Sequence, residues 1–231
     1  MTRPVDPAKL ALLEAIVPHV PFDGWSSAAF EAAVASSDIS RAEAKVLCPR
    51  GAVDLAVLFH QEGDRAMVEA VRAADLSDMR FRDKVAFAVR ARLNAIDDKE
   101  AVRRGSVLFA LPIYAADGAK LIWGTADAIW DVLGDTSRDI NWYTKRATLS
   151  GVYGSCVLYW LGDDSSDAGA TEAFIDRRIG DVMQFETVKA KVNGSKVLAP
   201  FLAPLNHLAG MVKAPSRQPR TDVPGMWSPR E

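Results

Sequence analysis

Residues 26–49 read SSAAFEAAVASSDISRAEAKVLCP. Ser26 or Ser27 caps a short helix through Ala35, because a serine hydroxyl accepts from the free backbone N–H groups that open a helix. Ser36-Ser37-Asp38 makes a turn, and Ser40 caps a second short helix that Pro49 ends. Two short capped helices across a tight turn are a helix-turn-helix layout. Upstream, Pro7 with Leu10, Leu12, Leu13, Ile16 and Val17 predicts a first helix with proline in its opening turn, stopped by Pro18 and Pro21. Downstream a longer helix runs from about Gly51 to Ala73, with Leu55, Leu58 and Phe59 early and Met67, Val68 and Val71 late.

Helical spacing continues beyond it. Met79, Phe81, Val85, Ala88 and Val89 predict one helix, and Val102, Val107, Leu108 and Phe109 another that Pro112 stops. Ile122, Ala126, Ile129, Trp130 and Leu133 form an amphipathic stripe. After Thr144, Leu149, Val152, Tyr153, Cys156, Val157, Tyr159, Trp160 and Leu161 cover a helix nearly all round, which predicts a buried central helix. In it Gly151, Gly154 and Ser155 remove side-chain volume, which leaves either close helix contact or space for a ligand. Phe174, Ile175, Ile179, Val182 and Met183 mark a further helix, broken by Asn193-Gly194-Ser195. No alternating run makes a convincing strand, so the fold class is all-α. Three short helices with a helix-turn-helix, a long connecting helix and a larger bundle resemble the layout of the TetR regulators. The expected organisation is one domain over residues 1–213, comprising a helix-turn-helix region 1–60, a helical bundle 61–194 and a terminal amphipathic helix 195–213. Pro215, Pro219, Pro224 and Pro229 predict a disordered tail over 214–231.

The run Asp139-Ile-Asn-Trp-Tyr-Thr-Lys-Arg146 puts two large aromatics beside charges at the start of a helix. With Asp139 as N-cap, Trp142 and Tyr143 are its third and fourth helical residues. Adjacent residues point about 100° apart, so both cannot face one core and at least one lies near the surface. This octapeptide resembles the ubiquinone-biosynthesis accessory protein family numbered nine in the coenzyme Q series. The resemblance runs through Ile129-Trp130, Gly134-Asp135, Ser137, Asp139, Asn141 to Thr144, Arg146, the following apolar helix and Asp163-Asp164-Ser165-Ser166, and more weakly over Phe174 to Lys191. It implies a TetR-like fold and a non-enzymatic protein that binds an isoprenoid quinone precursor or phospholipid and presents it to the demethoxyubiquinone hydroxylase. On that reading Asp139, Trp142, Tyr143 and Arg146 are the partner-binding residues, and Trp130, Gly151, Gly154, Tyr153 and Val157 line a lipid pocket.

Composition narrows the chemistry. The chain has 231 residues, 49% hydrophobic, and a formal net charge of −2, so it carries no global basic field to hold nucleic acid. Residues 1–60 hold Arg3, Lys9, Arg41, Lys45 and Arg50 against seven acidic residues, and the candidate recognition helix Ser40 to Leu47 mixes Glu43 with its two cations. That is a poor DNA face, although the layout keeps a TetR-type ligand-responsive regulator as the alternative, with a purely structural oligomer subunit as a third reading. His19, His60 and His207 lack partners at metal-ligand spacing, and no Cys-x-x-Cys, phosphate loop or nucleophile elbow occurs, so neither a metal site nor a catalytic constellation is expected. Cys48 and Cys156 lie far apart in apolar contexts, which fits a reducing compartment.

The opening Met1-Thr2-Arg3-Pro4-Val5-Asp6-Pro7 reads as neither a secretory signal nor a transit peptide. From Val197 to Val212 the chain is mainly apolar, and Phe201, Leu202, Leu205, Leu208 and Met211, flanked by Lys196, Lys213, Arg217 and Arg220, suit a membrane surface or a docked helix. The family resemblance favours the membrane. The expected location is cytoplasmic and peripheral to the inner membrane in a bacterium, or the matrix side in a mitochondrion. Whether the protein dimerises stays open at this level.

Overall fold

The computed structural model describes residues 5–193 together with Ala214 and Pro215. Every regular element among them is helical. The first four helices are α1 (Pro7–Ile16), α2 (Val20–Asp23), α3 (Ser27–Ser36) and α4 (Arg41–Leu47), with a 3-10 turn at Val17–His19. The expected caps are in place: Ser26 Oγ accepts from Ala29 N at 3.2 Å and Ser40 Oγ from Glu43 N at 3.2 Å. Pro18 and Pro21 do not stop the chain from coiling on. Each sits in the first turn of a short helical piece, where a backbone N–H would have no partner anyway.

Helix α5 (Ala52–Ala73) starts after Gly51, whose φ of 60° suits glycine, and at 22 residues it is about 33 Å long. It serves two cores. Leu55, Ala56 and Leu58 pack with Leu12, Ile16, Val20, Trp25, Phe30 and Ala44, while Met67 and Val71 pack with the larger cluster downstream. That second cluster draws on α6 (Phe81–Asn94), α8 (Ala115–Val132), α9 (Ile140–Leu161) and α10 (Gly169–Asn193). Helix α7 (Lys99–Ala110) closes against the first core, where Trp25 Nε1 donates to Ala101 O at 3.0 Å. Across the bundle Arg90 on α6 pairs with Glu172 and Asp176 on α10, the latter at 2.6 Å.

A polar cluster sits where α5 passes between the cores. Arg92, 1% exposed, donates through Nε to Asp64 at 2.6 Å and through Nη2 to His60 O at 2.9 Å. Thr125 Oγ1 lies 2.8 Å from Asp64 Oδ1 and 2.9 Å from His60 Nε2. Gly63 gives the guanidinium its room, since a Cβ there would stand 2.4 Å from Arg92 Nη1.

Helix α9 is central but not buried all round. Leu149, Tyr153, Cys156, Val157 and Leu161 face the core, whereas Gly151, Leu158 and Tyr159 are exposed. Its neighbours α8 and α10 cover only part of its circumference. A run of apolar residues therefore overstates burial when one face of the helix meets no other described element.

Candidate functional site

The start of α9 is built by the turn before it. Gly134, with φ of 81°, closes α8 in a backbone conformation that side chains disfavour, and the chain reverses into Asp135. Asp135 Oδ1 accepts from Ser137 Oγ at 2.8 Å and from Lys145 Nζ at 2.8 Å, and Oδ2 accepts from Arg146 Nη1 at 3.0 Å. Burial by itself would raise this carboxyl, but hydrogen bonds from Lys145, Ser137 and Arg146 outweigh it and hold the group well below the usual carboxylate range. Asp139 then caps the helix, its Oδ1 accepting from Asn141 N at 3.0 Å.

Arg146 differs from its expected place on a partner surface. Its side chain is 0% exposed and it gathers three carboxylates, Asp127 at 2.5 Å, Asp131 at 3.1 Å and Asp135 at 3.0 Å. The guanidinium also lies 4.1 Å from the ring centre of Trp142, so Arg146 supports the aromatic surface from beneath. Position i+4 from Trp142 puts them on one face, and tertiary contact with α8 buries that arginine. Trp142 and Tyr143 are half-buried and meet edge to face at 4.8 Å. Trp123 on α8, a residue that helical periodicity alone does not single out, adds a third ring 5.9 Å from Trp142. The site is thus an aromatic trio across α8 and α9, with Asp139 exposed at its edge.

The residues expected to line one pocket divide among three places. Trp130 borders a cavity of about 490 Å³ between α6, α8, α9 and α10, together with Phe81, Val85, Leu149, Val152 and Ile179. Asp135, Lys145 and Thr148 close its polar end. Tyr153 and Val157 border a second cavity of about 260 Å³ between α5, α7, α8 and α9. Gly151 and Gly154 line neither, because a Cβ at either position would meet nothing within 4 Å. Their missing side chains leave outward space instead of room for an internal ligand. The membrane candidates Phe201, Leu202, Leu205, Leu208 and Met211 lie outside the described residues.

His60 stands in the wall of the smaller cavity. Burial lowers its imidazole from 6.5 to about 4, although the charge of Asp64 pulls the other way. Between those values the unfolded chain binds a proton that the folded protein refuses, so stability should decline as the pH falls from about 6.5 toward 4. The full loss is on the order of 3 kcal/mol. Urea unfolding of His60→Gln at several pH values checks this: the decline should flatten in the variant, and an unchanged slope would assign it to another group.

Among the described residues no group of three or more His, Cys, Asp or Glu is placed to hold a metal ion, and no helix is long and apolar enough to cross a membrane.

The helix order, the two cores and the bundle define an all-helical TetR-like fold. A TetR transcriptional regulator from Nitrosomonas europaea superposes with a TM-score of 0.63 at 16% identity, covering 76% of this chain and 97% of the regulator. Residues 115–186, which contain the aromatic trio and most of the walls of the larger cavity, match the COQ9 family model. The ubiquinone biosynthesis protein COQ9, mitochondrial, of Xenopus tropicalis is 30% identical over 184 residues, 76% of this chain and 58% of that protein. The human protein of the same name is 29% identical over 180 residues, 74% and 56% of the two chains, and a probable counterpart from Dictyostelium discoideum is 29% identical over 192 residues, 79% and 61%. The chain is thus similar to the COQ9 family over these residues, and it spans about three fifths of the length of these curated relatives.

Proposed function

We propose that this protein acts in ubiquinone biosynthesis as a non-enzymatic carrier that holds an isoprenoid quinone precursor in the larger cavity and meets the demethoxyubiquinone hydroxylase through the aromatic trio. The names of the relatives support the pathway. One observation carries the molecular reading: a single turn at Asp135 joins the two features, bordering the cavity and also holding Arg146 under Trp142. A partner seated on Trp123, Trp142 and Tyr143 would therefore sit next to the polar end of the cavity. At about 490 Å³ that cavity falls in the range of roughly 300–1,000 Å³ that small-molecule sites occupy, and its walls are mainly apolar. Burying a prenyl chain there is driven by its apolar area, roughly 25 cal/mol per Å².

Thr148 is exposed at the rim of this cavity, so Thr148→Trp adds bulk without disturbing a packed core. Organic extraction of purified protein followed by mass spectrometry should find an isoprenoid or phospholipid in the parent and a several-fold lower amount in the variant. Equal lipid in both folded proteins would remove the larger cavity from consideration. The repressor alternative finds less support, since Arg41, one of the two cations on α4, is paired with Glu31 at 2.7 Å and Glu43 lies beside the other, Lys45.

A further inference from the structure

The turn between α7 and α8 presents apolar residues to solvent. Residues 105–116, GSVLFALPIYAA, hold no charge, and four of them, Leu111 to Tyr114, connect the two packed helices as the tip of a helical hairpin. Val107, Leu111 and Ile113 are 63%, 46% and 77% exposed, and Ala110 and Pro112 are exposed beside them. Arg104 Nη2 donates to Pro21 O at 2.8 Å, which sets the largely exposed Phe22 at the flank of the same ridge. Contiguous apolar surface of this kind marks an interaction site.

Shape and charge select the kind of partner. A hairpin tip is convex, so a protein would have to supply a matching hollow, whereas a bilayer yields around it. The backbone of the tip suits an interfacial zone: Leu111 N donates to Leu108 O at 3.2 Å, Tyr114 N donates to Leu111 O at 2.9 Å, and Pro112 has no N–H to leave unpaired. Behind the tip the two helices are basic. From 99 to 120 the hairpin carries Lys99, Arg103, Arg104 and Lys120 against Glu100 and Asp117, an excess of two positive charges on a chain whose formal net charge is −2. Arg103 and Arg104 share the single carboxylate of Glu100, Asp117 is held by Arg50 at 2.7 Å, and Lys120 is exposed. Arg104 stands seven residues before Leu111 and Lys120 seven after Ile113, so both lie roughly 10 Å behind the tip. Headgroups lie at that depth when apolar side chains enter a membrane by about 5–10 Å.

We infer that the tip between α7 and α8 is a contact for an anionic lipid surface, with Leu111 and Ile113 entering the acyl boundary and Arg104 and Lys120 meeting phosphates. The contact goes beyond the carrier reading and does not rest on it. It also uses none of the residues from Val197 to Val212, whose sequence suits a membrane on other grounds.

A nitroxide on Ile113→Cys in the full chain reports the contact directly, because the native Cys48 and Cys156 are buried. With vesicles of phosphatidylcholine and phosphatidylglycerol, the label should gain collisions with oxygen and lose collisions with a water-soluble nickel chelate. The same label on Glu69→Cys, an exposed site near the far end of α5, should stay aqueous. Vesicles of phosphatidylcholine alone should bind far less protein. On the anionic vesicles Ile113→Asp and Lys120→Glu should each lose on the order of tenfold in affinity. Both sites are exposed, so neither variant should change the melting temperature. Failure of the parent protein to bind anionic vesicles overturns the inference. So does a label at 113 that stays open to nickel while the protein sediments with vesicles, which would give the membrane contact to another segment. A label at 113 already protected without lipid, and more so at higher protein concentration, would show a second copy covering the tip in place of a membrane. The label measurement stands even if a charged variant fails to fold.

Discussion

Arg146→Met should lower the stability of the protein by roughly 3–5 kcal/mol, the range expected when one member of a buried charged network is removed. The variant keeps most of the side-chain volume, so the loss is electrostatic. Asp135, whose side chain is 3% exposed, would keep Lys145 but lose the guanidinium, and Asp127 and Asp131, each 36% exposed, would be left as neighbouring carboxylates one helical turn apart. Those two can draw in water, which puts the expected value nearer the lower end. For a chain of this size the melting temperature should drop on the order of 10 °C. Arg146→Lys should lie between parent and variant, because an ammonium retains the charge without the planar fork that reaches three acids at once. Adding Asp135→Asn to Arg146→Met should recover part of the loss. A melting temperature within a degree or two of the parent would show that the acids do not depend on Arg146.

Trp142→Ala should have the larger effect on function. If the aromatic trio is the docking surface, removal of its central ring costs about 2 kcal/mol or more of binding, roughly a thirtyfold loss of affinity for the hydroxylase. Trp142 touches Trp123, Tyr143 and Arg146, so truncation also removes an aromatic contact on each side and the cation beneath it. The attendant loss of stability should be about 1 kcal/mol, well below that of Arg146→Met. Trp123→Ala is the companion variant, since it removes a ring of the trio and leaves the Arg146 contact in place. Binding of purified hydroxylase, measured together with thermal melting, separates the two effects. Unreduced affinity in both variants, or a melting loss as large as that of Arg146→Met, would make the trio a packing cluster.

The local elements of this fold were written in its sequence. Ser26, Ser40 and Asp139 announce their helices because a capping side chain satisfies backbone groups only a few residues away, and Gly134 marks the turn because its φ is open to glycine. The periodic residues of α5, α8 and α9 likewise put Met67, Ile129 and Tyr153 inside. What α9 packs against was not legible. Its apolar run suggested burial all round, yet Gly151 and Gly154 face outward, because burial depends on which neighbours arrive and not on the helix alone. Arg146 is the sharpest instance. Alone it reads as a charged surface residue, and it becomes a buried hub only when Asp127 and Asp131 of α8 and Asp135 of the turn, residues 11 to 19 positions earlier, are folded back onto it. Trp123 joins Trp142 across the same helix pair, and the polar cluster of Arg92, Asp64, His60 and Thr125 draws on α5, α6 and α8. Caps and periodicity are short-range physics that a sequence carries in order. Compensation of buried charge and the walls of a cavity are sums over segments distant in the chain, and only tertiary packing decides them.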